Sequence, residues 1–438
     1  MMHREPLAEP AGGSFVSDTR TMMKTAPHLR VPGDKSIAHR AVMFAALARG
    51  TSRLRNVPDG LDVLSTQRAM RALGATLHAD GDTLVVEGCG GAFRAPDEPI
   101  DCGNSGTTMR LVAGILATRA IDVTLTGDDS LRARPMRRVA APLAAFGATI
   151  DLSNGWTAPM RVRGNGDARG AEIAVTVASA QVKSALLLAA LGAHGPTRLT
   201  GELATRDHTE RLLAAFSVHV RADGGALVLD GPAMLHAAEI DVPGDISSAA
   251  FLFAAAAATA GGTVTVDDVG LNPTRTAFLD VLRRFGAEVE VRIAADAPEP
   301  RGSVTVRGRA LHAIEILPSE VPGLIDELPL VGVLGAFANG TTTVRGAAEL
   351  RVKESDRIES FAAAARALGA DVETAPDGFA VHGPARWHDG AVATHHDHRI
   401  AMAFAVAGRV ARVRVTLDDP DCAAVSFPNF AAALESLA

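Results

Sequence analysis

The stretch RVKESDR, Arg351 to Arg357, packs two arginines, a lysine, a glutamate and an aspartate into seven residues just ahead of an alanine-rich run. Two readings are open. If a helix begins here, Lys353, Glu354 and Arg357 share its first turn, because side chains three and four positions apart are helix neighbours. The segment is then a capped, salt-bridged helix start. In the other reading Lys353 and Glu354 are a base and an acid held in different protonation states, with Arg357 gripping an anionic substrate. Cations nearby would lower the Lys353 pKa, and Glu354 would deliver a proton.

Other stretches offer related chemistry at strand-to-helix junctions. PGDKSIAHR carries Lys35, Ser36 and Arg40, and SLRARPM carries Arg134. GNSGTTMR, Asn104 to Arg110, has glycines that let backbone approach an anion closely. ASAQVKS supplies Ser179, Gln181 and Lys183, and TRDHTE supplies Arg206. Further on come PGDISS with Asp245, LIDELP with Asp326, and HHDHR with His398 and Arg399. Singly, a serine or aspartate at such a place reads as a helix cap. Together they weigh more, because only four of the 43 basic residues are lysine and three of those, Lys35, Lys183 and Lys353, fall in these junctions. A compact, tunable ammonium retained in an arginine-rich chain points to chemistry.

The elements that must position these residues recur. Helical runs ending in a Gly-Ala-like turn lead into a strand pair closed by a glycine, at Gly88, Gly164, Gly231, Gly308 and Gly383, a period of about 70 residues. Between them lie a short strand, a polar loop and an alanine-rich helix. The pattern predicts six βαβαββ-like units, with RVPGDKS heading the first and EIDVPGDISS the fourth. Three precede a boundary near Pro243 and three follow it. The expected division is a flexible leader over 1–26, a domain over 33–243, and a second domain of 27–32 plus 244–438. Free N–H groups and the helix dipole at each junction favour an anion. Two such domains facing each other would form a cleft lined by helix starts, and closure on the first substrate is expected.

Composition sets outer limits. The chain of 438 residues is 47% hydrophobic and 21% charged, as globular proteins are. Its net charge of -7 would repel nucleic acid, so any anion must be caught locally. No apolar run reaches a membrane span, no secretory signal is evident, and a cytoplasmic protein is expected. Cys89, Cys102 and Cys422 lack the spacing of a metal or redox motif. HHDH has no second cluster to complete a metal site, so no metal is expected. The phosphate-loop pattern G-x-x-x-x-G-K-S/T and the hydrolase pattern G-x-S-x-G are both absent.

In order along the chain, PGDKSIAHR, GNSGTTMR, RPM, RVKESDR and DHRIAM resemble the 5-enolpyruvylshikimate-3-phosphate synthase family, the 3-phosphoshikimate 1-carboxyvinyltransferases. The likeness runs from about Val31 to the C-terminus. It implies an α/β fold of two inside-out α/β barrels, each of three units, and transfer of the enolpyruvyl group of phosphoenolpyruvate to the 5-hydroxyl of shikimate 3-phosphate with release of phosphate. No cofactor, metal, nucleic acid or membrane is implied, and a monomer is expected. By motif, Lys35, Gly106, Arg134, Gln181, Arg357 and Arg399 would hold phosphoenolpyruvate. Lys35, Ser36, Arg40, Ser179, Ala180, Gln181, Arg206, Asp326 and Lys353 would hold shikimate 3-phosphate. Catalysis would fall to Glu354, with Asp326 or Lys353 taking the hydroxyl proton. Ala180 and Val425 depart from the better-known branch, which has serine and lysine there, so the SAQ and TRDHTE forms resemble the branch called class II. Gly106 stands where alanine blocks the inhibitor glyphosate in some relatives, which implies no steric resistance from this position. Two rivals remain: a UDP-N-acetylglucosamine enolpyruvyl transferase, which would use an aspartate of GDDSLRARP, and a non-catalytic anion-binding protein on the same scaffold.

Overall fold

A computed structural model describes residues 27–437; the leader expected over 1–26 lies outside them. Helices of the repeat run through the centre and small sheets cover them. Lys35–Leu47, Gly106–Ala117 and Ala180–Ala190 lie in one apolar core, which spans Ile37 to Val242. Ile246–Ala258, Leu328–Phe337 and His398–Ala411 lie in a second, which runs from Ile246 to Leu437 and takes in Val31. Buried on nearly every side, these helices need small residues. Their alanines and glycines let backbones approach, so that a Cβ on Gly114 would stand 2.2 Å from the Ala185 carbonyl oxygen.

The sheets share one plan. Ile100–Asp101 lies parallel to Asp122–Thr126, and Thr157–Arg163 is antiparallel to both Asp122–Thr126 and Thr149–Ser153. Four other four-stranded sheets repeat that order. Two of them exchange a strand. Glu239–Asp241 pairs with Arg49–Arg55 of the first unit, and His28–Leu29 pairs with Thr263–Gly270 of the fourth. The repeat reads each at the head of the other's unit, whereas the expected division set 27–32 with the second domain and left 239–241 in the first. Both heads carry the same Val-Pro-Gly-Asp, so the repeat alone does not tell which sheet each strand joins. The sixth unit also departs from the pattern: it has only the parallel pair Gly390–Val392 and Val415–Leu417, after which the chain turns into the short helix Phe430–Glu435.

The five closing glycines have a common physical cause. Each ends its hairpin against the last-turn carbonyls of an inner helix. A Cβ would meet Ala48 O at 2.1 Å from Gly88, Leu116 O at 2.1 Å from Gly164, Ala193 O at 2.3 Å from Gly231, Thr259 O at 2.2 Å from Gly308, and Gly335 O at 2.3 Å from Gly383. Backbone carbonyls in a helix end cannot retreat cheaply. Gly164→Ala, remote from the cleft, is therefore expected to lower stability by about 1–3 kcal/mol, the usual cost of overpacking. Chemical denaturation checks this, and an unchanged midpoint would refute it.

Candidate active site

Five of the six inner helices start with a side-chain cap. Asp34, Ser105, Ser179, Asp245 and Asp397 accept from backbone N–H groups of the first turn at 2.9, 3.1, 3.5, 2.8 and 3.0 Å. These starts converge on a cavity of about 410 Å³ between the two cores. Lys35, Ser36, Arg40, Gly106, Arg134, Ser179, Ala180, Gln181 and Arg206 line it from the first, and Asp326, Lys353, Glu354, Arg357 and Arg399 from the second. Every residue to which the family resemblance assigned a substrate or a catalytic role thus reaches one place. Lys183 does not: its ammonium is buried, 2.7 Å from Glu210, and donates to the carbonyls of Leu203 and Thr205 at 3.3 and 3.2 Å. It supports the loop that presents Arg206.

RVKESDR is a capped, salt-bridged helix start, but not with the three side chains expected to share its first turn. The helix begins at Arg357, capped by Asp356, whose carboxylate also binds Arg351 at 2.7 Å. Lys353 and Glu354 precede that helix, on the loop after the 3₁₀ turn Ala348–Val352. The three side chains therefore do not share a helical turn. Glu354 still accepts from Arg357 at 2.6 Å, while Lys353 turns back to Glu349 at 3.3 Å. Arg357 is 1% exposed and donates through Nε to Asp397 at 2.8 Å; its Nη1 lies 3.6 Å from Asp326 and has no hydrogen-bond partner.

Ion pairs cross the cleft. Arg206 pairs with Asp326, Arg138 donates to Glu349 at 2.7 Å, and Arg134 stands 3.8 Å from Glu354. Lys35 is held by Asp62 at 3.0 Å, Gln181 joins Arg110 and Thr107 at 2.7 and 3.0 Å, and Arg399 donates to the Asp326 carbonyl at 3.3 Å. Burial alone would raise the Glu354 carboxyl, but Arg357, Arg134, His398 and Lys35 outweigh it and hold it well below the usual range. Asp326 is likewise raised by burial and held well down by Arg399, Arg206, Arg357 and Arg275. The Lys353 ammonium is lowered, as its surroundings led one to expect, but chiefly by burial; Arg357 contributes less.

The sequence profile described as EPSP synthase (3-phosphoshikimate 1-carboxyvinyltransferase) matches residues 20–434. The chain belongs to that family. Relatives carrying the name 3-phosphoshikimate 1-carboxyvinyltransferase include one from Alkalilimnicola ehrlichii, 48% identical over 92% of this chain and 91% of the relative. Another, from Anaeromyxobacter, is 49% identical over 93% and 95%. A solved EPSP synthase from Acinetobacter baumannii superposes with a TM-score of 0.82 at 38% identity, covering 94% of this chain and 95% of that one. The enolpyruvyl transferase NikO from Streptomyces tendae, at 20% identity, TM-score 0.75 and 94% coverage of both chains, shares the fold. The architecture is accordingly the two-part, inside-out α/β fold of the enolpyruvyl transferases.

Within this family the aspartates of GDDSLRARP have ordinary duties here. Asp128 caps the helix Asp129–Ala133 and accepts from Asn104 at 2.8 Å, and Asp129 pairs with Arg132 at the surface. Neither lines the cleft. Asp62, Arg110, Arg138, Arg275 and Glu349 do line it and were not singled out. Arg110 was legible, one helical turn past Gly106 in a quoted motif, whereas Asp62, Arg138 and Glu349 carry no motif signal.

A carboxyl with a depressed folded-state pKa stabilises the protein above its ordinary value, 4.5 for Glu354, and loses that contribution as pH falls through the depressed value. Asp245 and Glu327 are shifted the other way, so comparison with a variant is needed to isolate Glu354. The gap in melting temperature between wild type and Glu354→Gln is expected to shift in favour of the variant below pH 4.5 in ligand-free protein. A gap independent of pH from neutrality to strong acid would show that Glu354 is not held ionised.

Proposed function

We propose that this chain transfers the enolpyruvyl group of phosphoenolpyruvate to the 5-hydroxyl of shikimate 3-phosphate and releases inorganic phosphate. The observation that carries the reading is Glu354 lodged between Arg357, at 2.6 Å, and Arg134, at 3.8 Å, in a cleft of arginines and helix starts. On this reading Lys35, Arg134, Arg357 and Arg399, with Gln181 and the close approach allowed at Gly106, hold the phosphate and carboxylate of phosphoenolpyruvate. Ser36, Arg40, Ser179, the backbone at Ala180, Gln181 and Arg206 hold shikimate 3-phosphate beside Lys35, and Asp326 and Lys353 meet its hydroxyls.

The chemistry follows from exchange of ionic partners. Without ligand, Glu354 is held ionised by the guanidinium groups around it. A bound phosphate draws Arg134 and Arg357 to itself, and Glu354 then gains affinity for a proton. The protonated carboxyl donates to the methylene carbon of phosphoenolpyruvate as the 5-hydroxyl oxygen attacks the adjacent carbon, and Asp326 or Lys353 takes the hydroxyl proton. In the second half of the reaction the new methyl group returns its proton to Glu354, and the departing phosphate takes up the hydroxyl proton held by Asp326 or Lys353. Atoms and charges balance with no further reagent. A monomeric, cytoplasmic enzyme without metal or cofactor completes the reading.

Phosphate release from phosphoenolpyruvate should require shikimate 3-phosphate and should not occur with UDP-N-acetylglucosamine; the reverse dependence would overturn the assignment. Glu354→Ala should bind shikimate 3-phosphate with near wild-type affinity and lose about 10²–10⁴ in kcat, the range for an acid–base group. Turnover equal to wild type would remove Glu354 from the mechanism.

A further inference from the structure

The repeated Val-Pro-Gly-Asp, at Val31–Asp34 and Val242–Asp245, marks the two places where the chain passes between the halves. The copies lie against each other. Gly33 and Gly244 form an antiparallel bridge, Asp34 N donates to Pro243 O at 2.7 Å, and Asp245 N donates to Pro32 O at 2.8 Å. This reciprocal joint brings together two buried aspartates, each capping an inner helix of a different half. Such carboxylates repel: burial and then Asp34 push Asp245 upward, and Arg275 opposes them.

Arg275 is the cation between the pair. Its Nη1 lies 3.6 Å from Asp34 and its Nη2 3.5 Å from Asp245, while Nε and Nη1 have no hydrogen-bond partner. The grip on Asp34 is therefore charge attraction without a directional bond, which tolerates rotation. Nη2 also donates to Ser247, which donates to Glu327, the neighbour of Asp326. Three residues before Arg275, Asn272 donates to Asp207 at 2.7 Å and to Glu299 at 2.9 Å, and Glu299 meets His208 at 2.7 Å. Asp207 and His208 directly follow Arg206. One loop of the second half thus holds the first half both at the joint and behind a cleft arginine.

We infer that Arg275 is a positioning residue that clamps Asp34 to Asp245 at the double crossover, setting the angle at which Lys35 and Arg206 face Asp326 and Arg399 across the cleft. The kinetic side of this rests on the proposed function; the conformational side does not. In ligand-free Arg275→Gln, small-angle scattering should give a larger radius of gyration than wild type, restored toward it by saturating shikimate 3-phosphate. KM for both substrates should rise about tenfold or more with a fall in kcat, since joint residues move the two together, and Arg275→Lys should recover part of both. Should Arg275→Gln not fold, the double variant Asp245→Asn/Arg275→Gln removes one unpaired carboxylate and keeps an asparagine cap, and should show the same opened profile and raised KM. A lower melting temperature with wild-type scattering and wild-type KM, in either variant, would make Arg275 purely structural and overturn the inference. A wild-type enzyme that released no phosphate with shikimate 3-phosphate would instead defeat the functional reading, leaving the ligand-free scattering comparison to decide the clamp.

Discussion

A guanidinium group taken out of water must find negative partners, and the cleft is organised around that demand. Arg357, Arg275 and Arg40 are 1%, 3% and 3% exposed. An uncompensated buried charge costs several kcal/mol, so each comes with carboxylates or a dense set of acceptors. Arg357 has Asp397, Glu354 and Asp326. Arg40 instead uses the hydroxyls of Thr209 and Ser184 and the Ser36 carbonyl, at 2.7, 2.7 and 2.8 Å. Asp397 is fully buried and stays with Arg357, whereas Glu354 and Asp326 sit at the cavity wall. The carboxylates that balance the cleft arginines are thus the ones an arriving anion would displace, and the ones the proposed chemistry needs.

The same arrangement reconciles an acidic protein with an anion-binding cleft. The chain carries a net charge of -7, yet the cavity wall is built from helix starts, where free N–H groups and the dipole supply positive potential without adding net charge. Five of those starts are capped by their own aspartates or serines. The caps hold the first turns in place while the residues just after them, Lys35 and Arg399 among them, face the cavity.

Much of this was legible because the fold repeats itself. The closing glycines could be read as a period, although their reason, a hairpin end pressed on helix carbonyls, is visible only in three dimensions. The residues at the junctions could be read because lysine is scarce and the motifs are dense. What escaped had a physical reason in each case. Asp62 and Glu349 act as partners of Lys35 and Lys353 from the first turns of a helix, Leu61–Ala72, and of the 3₁₀ turn Ala348–Val352, where an acidic residue carries no distinctive pattern. Lys183 misled because a lysine at a helix start looks the same whether it points into the cavity or, as here, back at Glu210. The expected division set 27–32 with the second half, but which strands pair escaped, because pairing between distant strands leaves no trace in a local repeat.

That exchange has a consequence for biogenesis. His28–Leu29 is synthesised long before its partner around Thr265. The sheet containing Arg49–Arg55 likewise stays open on one side until Glu239–Asp241 has been synthesised. A chain that stops at the boundary near Pro243 already holds every strand of the first half's sheets, whereas the second half still needs His28–Leu29 from ahead of that point. A gene split there would have to pass one short strand across the cut, so the second fragment should complete its sheet only when the first still carries His28–Leu29.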